Sequence, residues 1–274
     1  MYSGLYITKH TGAFFGVHQK IDRVSYRVLS QTTKMSRFPT KQQILHFEGG
    51  KGPDSIKVKS PAVNEPWHYI DPFDPDDTQL LELIAEHRAD LVAELKAGNM
   101  ERAAFEASWL AHALTDGLTP AHHYPYEETL VELRKGEAKE TRTSAKEKLL
   151  MKGDTKTELM KNNWRMWGFK GLFISHAAFE MGVAAIVSPF VFRQVKLDNN
   201  LLAQVAEIGF EEYYLQKLRE IALWNMYEDF TRFGWTWSLS KKARDELVPI
   251  IIEVVSVAWY VAMKEAGIVT RQNK

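Results

Sequence analysis

The chain has 274 residues, with 35 Lys plus Arg against 35 Asp plus Glu, and no cysteine. Balanced charge gives no overall attraction to nucleic acid or anionic lipid. The missing cysteines exclude disulfides, thiolate metal sites, iron–sulfur clusters and cysteine nucleophiles, so any transition metal must be held by His, Asp and Glu.

The N-terminal MYSGLYITKHTGAFFGVHQK lacks a basic segment followed by a clean apolar run. No signal peptide is expected, and the chain reads as cytoplasmic unless it is the trimmed form of a secreted protein. From His18, the positions His18, Ile21, Val24 or Ser25 and Val28 recur at helical spacing, which puts His18 on an inward stripe. Residues 34–75, rich in Gly, Pro, Asp and Ser, predict a long irregular loop of the kind that is usually functional or disordered.

A helix is expected over about 76–96, a stop at GNM, and a further helix capped by Asn99. In that helix Ala103, Ala107, Leu110 and Leu114 form one apolar face and Phe105, Trp109, His112 and Asp116 an adjoining one. Only a strip near Arg102 and Glu106 is polar, so the helix belongs in the middle of a bundle. Dense charge over 127–163 predicts solvated helices or a partly mobile insertion. The run 171–187 is slightly short for a membrane span of about 20 residues, and His176 and Glu180 sit inside it, so it reads as a buried helix. Two helices over 201–233 and one over about 240–264 complete the chain, with no repeat and no transmembrane segment expected. The fold class is all-α, with 1–274 read as one domain carrying the charged insertion.

Residues four apart on a helix share a face, which stacks His112 on Asp116 and His176 on Glu180. Burying so many ionisable groups is tolerable when they neutralise one another or a cation, and a multivalent metal does this well. Zinc accepts imidazole and carboxylate ligands together. A ferritin-like di-iron site would need Glu three residues before a His on each of two helices, and that spacing occurs once, at Glu65 and His68 across Pro66. A His-Asp-doublet phosphohydrolase would need that dipeptide, which does not occur.

The ordered set His18, then Asp54 and His68 fourteen apart, then His112, Asp116 and His122 in His-x3-Asp-x5-His, then His176 and Glu180, resembles the zinc-dependent phospholipases C of bacilli and clostridia and their relatives, the single-strand-specific zinc nucleases. WHYIDPFDPDD and TPAHH are similar to that family's stretches after the second His and at the bend. The resemblance implies a helical bundle with two or three zinc ions. Asp54, His68, His112 and Asp116 would hold one ion and His122, His176 and Glu180 a second. His18 would hold a third, sharing Asp116.

It further implies phosphodiester hydrolysis, with two zincs about 4 Å apart clamping phosphate oxygens and Asp54 orienting or deprotonating the attacking water. The expected partner is a phosphoester, either phospholipid or single-stranded nucleic acid. Competing readings are a nuclease or nucleotidase of the same fold and a metal-stabilised module without turnover.

Three departures stand out. The family's third site is completed by an N-terminal Trp, whereas here Met1 lies seventeen residues before His18 and no Trp precedes Trp67. That site is therefore absent, weak or completed by other groups, His10 being one candidate. The long interval from His122 to His176 predicts an insertion overhanging the site, and the choline-facing aromatics are not reproduced, with Ser55 after the Asp and Glu65 before the second His. His46, His87 and His123 match no ligand position, with His123 able to support a ligand from behind. Trp164, Trp167, Trp235 and Trp237 are expected to pack in the core rather than floor a pocket.

Overall fold

The computed structural model describes residues 1, 16–49 and 51–269, so His10 lies outside the described residues. These form fourteen α-helices and no strand. The first five are α1 (Val17–Thr32), α2 (Lys41–Glu48), α3 (Pro53–Lys59), α4 (Gln79–Ala97) and α5 (Met100–Gly117). They are followed by α6 (Tyr126–Leu133), α7 (Ala145–Leu149), α8 (Lys156–Trp167) and α9 (Leu172–Val187). The chain ends with α10 (Asn199–Ile208), α11 (Phe210–Ala222), α12 (Met226–Phe233), α13 (Trp237–Lys242) and α14 (Val248–Glu265).

The core is built by α1, α4, α5 and α14. Along α5, Ala103, Ala107, Leu110 and Leu114 are fully buried, their small volumes letting neighbouring helices approach closely. Asn99 caps α5 by accepting from the Arg102 amide at 3.3 Å, and Gly98 supplies the left-handed turn at φ 75° that reverses the chain after α4. The α14 helix crosses behind α5, and the Trp259 indole donates to the Ala107 carbonyl at 3.0 Å.

Several expectations from local pattern change. Residues 34–75 contain α2 and α3 rather than a continuous loop. A Thr40–Gln43 capping box starts α2, with the Thr40 hydroxyl accepting from the Gln43 amide at 3.3 Å. Glu106 is not on a solvated strip; it is fully buried between His87 at 2.6 Å and Arg102 at 2.6 Å. Three helices, not two, occupy 199–233, and a π-turn over 243–247 joins α13 to α14.

Two stretches, Lys156–Val187 and Trp237–Glu265, are long and apolar enough to cross a membrane by length and composition alone. The second is mostly buried and includes the core helix α14. The first is interrupted between α8 and α9, and α9 is less enclosed than expected, burying Phe179, Val183, Ala184 and Val187 while Phe173, Ile174 and Met181 face out.

The charged segment 127–163 does more than present a solvated surface. Leu130, Leu133, Met151 and Met166 close a second small core over Tyr69 and Tyr126. The fully buried Arg134 guanidinium donates to the Leu150 carbonyl at 3.0 Å, and Lys148 donates to the Lys57 carbonyl at 2.7 Å, tying the segment to α3. Among the four tryptophans expected in the core, Trp164 and Trp237 are exposed, Trp235 is partly buried and stacks on Phe179, and Trp167 lines a pocket.

Candidate metal centre

The helix α5 sets the centre because its last two turns carry His112 and Asp116 on the same inward line, both almost fully buried. Asp116 is the hub. Its Oδ2 lies 2.6 Å from His68 Nδ1 and 3.1 Å from His112 Nε2. Its Oδ1 lies 2.6 Å from the Met1 α-amino nitrogen, 3.2 Å from His18 Nε2 and 3.6 Å from His122 Nε2. One carboxylate thus presents separate oxygens to two groups of nitrogen donors.

The remaining elements bring the other expected residues to this hub. The first turn of α1 supplies buried His18. Asp54 enters from the first turn of α3, behind the cap of Gly52 and Pro53, and stands at the mouth 3.7 Å from His112 Nε2 with 32% of its side chain exposed. Gly52 is required there: a Cβ would sit 2.2 Å from the Glu48 carbonyl oxygen, so any side chain would push α3 away from α2.

His68 and His122 are locked to one another through the backbone, with the Ile70 amide donating to the His122 carbonyl at 3.1 Å and His122 Nδ1 donating to the His68 carbonyl at 2.6 Å. On α9, His176 Nε2 lies 3.0 Å and His122 Nε2 2.9 Å from the same Glu180 oxygen.

All eight sequence-predicted residues, His18, Asp54, His68, His112, Asp116, His122, His176 and Glu180, therefore converge. Two groups, Asp54–His68–His112 and His122–His176–Glu180, each bring their donor atoms within 4.8 Å of one another.

Three residues were missed. The Met1 amino group, buried and 3.2 Å from Glu180 as well as bonded to Asp116, stands beside His18, where only His10 was a candidate group. Glu48, at the end of α2, lies 3.1 Å from His112 Nδ1 and 3.8 Å from His18 Nδ1, forming a third close group with those histidines. The signal for it was the Thr40–Gln43 capping box, which predicts a helix placing Glu48 one turn beyond the buried Ile44. Asp22, buried one turn after His18 on α1, repeats the His-x3-acid spacing and was passed over. His123 is fixed by its bond to the Gly117 carbonyl at 2.7 Å, His87 is a buried partner of Glu106, and His46 is exposed.

Burial alone would raise the Asp116 carboxyl, yet His122, the Met1 amine, His112 and His18 hold it well below the ordinary carboxylate range. Glu180 is likewise depressed against its burial, by the Met1 amine and His176. Burial pushes His122 down to about 3, helped by the Met1 amine and His176, and lowers His68 together with Lys57. The Met1 amine is opposed by burial but held at about 10 by Asp116, Glu180 and Asp54. Behind Glu48, burial and the Glu48 charge push Asp22 well above the ordinary range. Without an ion the result is ionised carboxylates facing neutral imidazoles at His68 and His122, the protonation state that metal ligands require. Against its burial, Asp116, Glu48 and Asp54 push His112 well above its ordinary value, so a metal would displace its proton.

The test of fit is hydrogen bonding. His18 Nε2, His68 Nε2 and His112 Nε2 are buried without a hydrogen-bond partner, although such atoms in folded proteins are almost always satisfied. A divalent cation would satisfy them, and the donor set of nitrogen and oxygen without sulfur suits a catalytic zinc site.

The fold resembles that of alpha-toxin from Clostridium perfringens. The structure of that protein, isolated from avian strain SWCP, matches at a TM-score of 0.53 and 14% identity, over 94% of this chain and 65% of that one. The present chain thus corresponds to under two thirds of the toxin's length, and at this identity the likeness concerns the fold. No family model and no curated protein matches by sequence.

Proposed function

We propose that the chain is a zinc-dependent phosphoester hydrolase of the phospholipase C type, cleaving a phosphodiester by water. The observation that carries the reading is Asp116, whose two oxygens face separate donor groups beside imidazole nitrogens left without hydrogen bonds. The all-α fold shared with a clostridial alpha-toxin supports it.

Asp54, His68, His112 and Asp116 would hold one ion, and His122, His176 and Glu180 a second. His18 would hold a third through the shared Asp116. Bound zinc supplies Lewis-acid polarisation of phosphoryl oxygens and lowers the pKa of water from 15.7 to about 7. Asp54, half-exposed at the mouth, orients the attacking water and accepts its proton. Glu48 fixes the tautomer and ring direction of His112 from behind, and the His68 carbonyl does the same for His122. Tyr69, stacked on His122 with ring centroids 5.2 Å apart, keeps solvent from that edge.

Anomalous scattering at the zinc edge, together with metal content after purification without chelator, tests the reading. At least two zincs per chain and hydrolysis of bis(p-nitrophenyl) phosphate that disappears in His112→Ala are expected. Fewer than two zincs, or equal rates in the two proteins, would overturn it.

A further inference from the structure

A pocket of about 300 Å³ opens directly beside the cluster, sharing His68 with it and walled by Tyr69 and Tyr126. The ring of Tyr126 stacks on Tyr69 at 5.1 Å and lies 5.6 Å from His176. An organic group attached to a phosphate at the cluster would find this cavity immediately next to it. Its far wall is built by the charged insertion, through Leu130, Lys139, Arg142 and Lys148, so the insertion contributes lining as well as cover.

Most of the wall is apolar, but its charge is not neutral: four cations face two carboxylates. Arg142 pairs with Glu127, and Lys148 pairs with Glu65 at 2.5 Å. That leaves Lys57 and Lys139, neither of which forms an ion pair among the described residues. Lys139 Nζ lies on an aromatic face, 3.8 Å from the Trp67 ring centroid, and Lys57 Nζ donates to the Tyr69 hydroxyl at 3.4 Å. Burial lowers the Lys139 pKa from its ordinary value, the mark of an ammonium whose desolvation its neighbours do not offset.

A quaternary ammonium ligand is recognised by open aromatic faces. Here Lys139 covers the Trp67 face, His122 and Tyr126 stack on Tyr69, and Lys57 and Lys139 add net positive charge to the wall, so such a ligand would meet repulsion where it needs attraction. An anion on an apolar body meets the opposite situation: it can pair with Lys57 and Lys139 while its body lies against Leu130 and Met166.

Resting on the hydrolase reading above, we propose that this pocket selects phosphodiesters whose organic group joins an apolar body to an anion, and rejects those carrying a quaternary ammonium. The anion could be a carboxylate or a terminal phosphate, which share the chemistry of an acceptor oxygen for lysine.

The experiment compares zinc-loaded full-length protein on p-nitrophenyl phosphodiesters with a common leaving group and three second alcohols: choline, 4-hydroxybutyrate and 3-phosphopropanol. Bis(p-nitrophenyl) phosphate reports hydrolysis independent of the pocket's charge preference. The expected result is a kcat/KM at least about tenfold higher for one or both anionic esters than for the choline ester, falling as salt is raised. In Lys57→Met and Lys139→Met that ratio should shift toward choline by about tenfold, while Lys139→Arg retains it. The ratio is read within each active variant and does not depend on how much protein folds.

Equal or greater rates on the choline ester, or an anionic preference unmoved in both Met variants, would overturn the pocket assignment while leaving the hydrolase reading intact. No hydrolysis of any ester above the His112→Ala background would overturn the hydrolase reading and this inference with it.

Discussion

Two helices carry the same His-x3-acid spacing and use it differently. On α5, His112 and Asp116 are 2% and 1% exposed and stand at the centre of the donor groups. On α9, His176 and Glu180 are 12% and 14% exposed and approach from the rim. Identical local geometry thus gives a buried hub in one case and an accessible flank in the other, because α5 is enclosed by α1, α2, α4 and α14 while α9 leaves much of its apolar surface outward. Charge at the hub is compensated within the protein, by the Met1 amine and His112. The flank depends less on such enclosure. Removing a charged group should therefore cost folding stability at the hub and mainly metal binding at the flank.

The largest effect is expected for Asp116→Ala, which leaves the Met1 amine with Glu180 alone and strands His112 and other imidazoles in a buried space. Urea denaturation of metal-free protein should show a loss of about 3–5 kcal/mol, with zinc binding abolished. A loss below about 1 kcal/mol would break the distinction between hub and flank.

Glu48→Gln comes next. It keeps the volume of the side chain but removes the charge behind His112 and His18, and zinc titration should show affinity lowered by about 10- to 100-fold with stoichiometry preserved. Unchanged affinity would mean that α5 holds its imidazole without help from α2.

Asn99→Ala separates the helix from its ligands. Loss of the cap should lower stability by about 1 kcal/mol in thermal or urea unfolding, with zinc content the same as in wild type.

The smallest change in metal-free stability is expected for His176→Ala, within about 1 kcal/mol, yet the same protein should bind one zinc fewer per chain by elemental analysis. Destabilisation matching that of Asp116→Ala would make the flank a second hub.

Much of the candidate site was legible because its spacing is short-range. His112 with Asp116 and His176 with Glu180 follow from the pitch of an α-helix, and His18 follows from the apolar stripe of α1. Glu48 was hidden by the Gly- and Pro-rich surroundings of α2, which drew attention away from a helix only eight residues long. The half-exposed character of α9 was illegible for another reason: a helix apolar on every side does not reveal which side its neighbours will cover.

By itself the sequence determined the helical class, the absence of thiolate chemistry, the inward His18 and the two His-x3-acid pairs, since these depend on composition and on contacts within a few turns. Asp54, His68 and His122 entered instead through the resemblance to the zinc phospholipases C. The tertiary structure alone decided that the Met1 amine reaches Asp116 and that Glu48 backs two histidines. It also decided that the insertion walls a pocket beside the cluster that carries two lysines without an ion pair among the described residues. Those contacts join residues far apart in the chain, 64 positions for Glu48 and His112 and 115 for Met1 and Asp116, and only the packing of whole helices determines which such pairs meet.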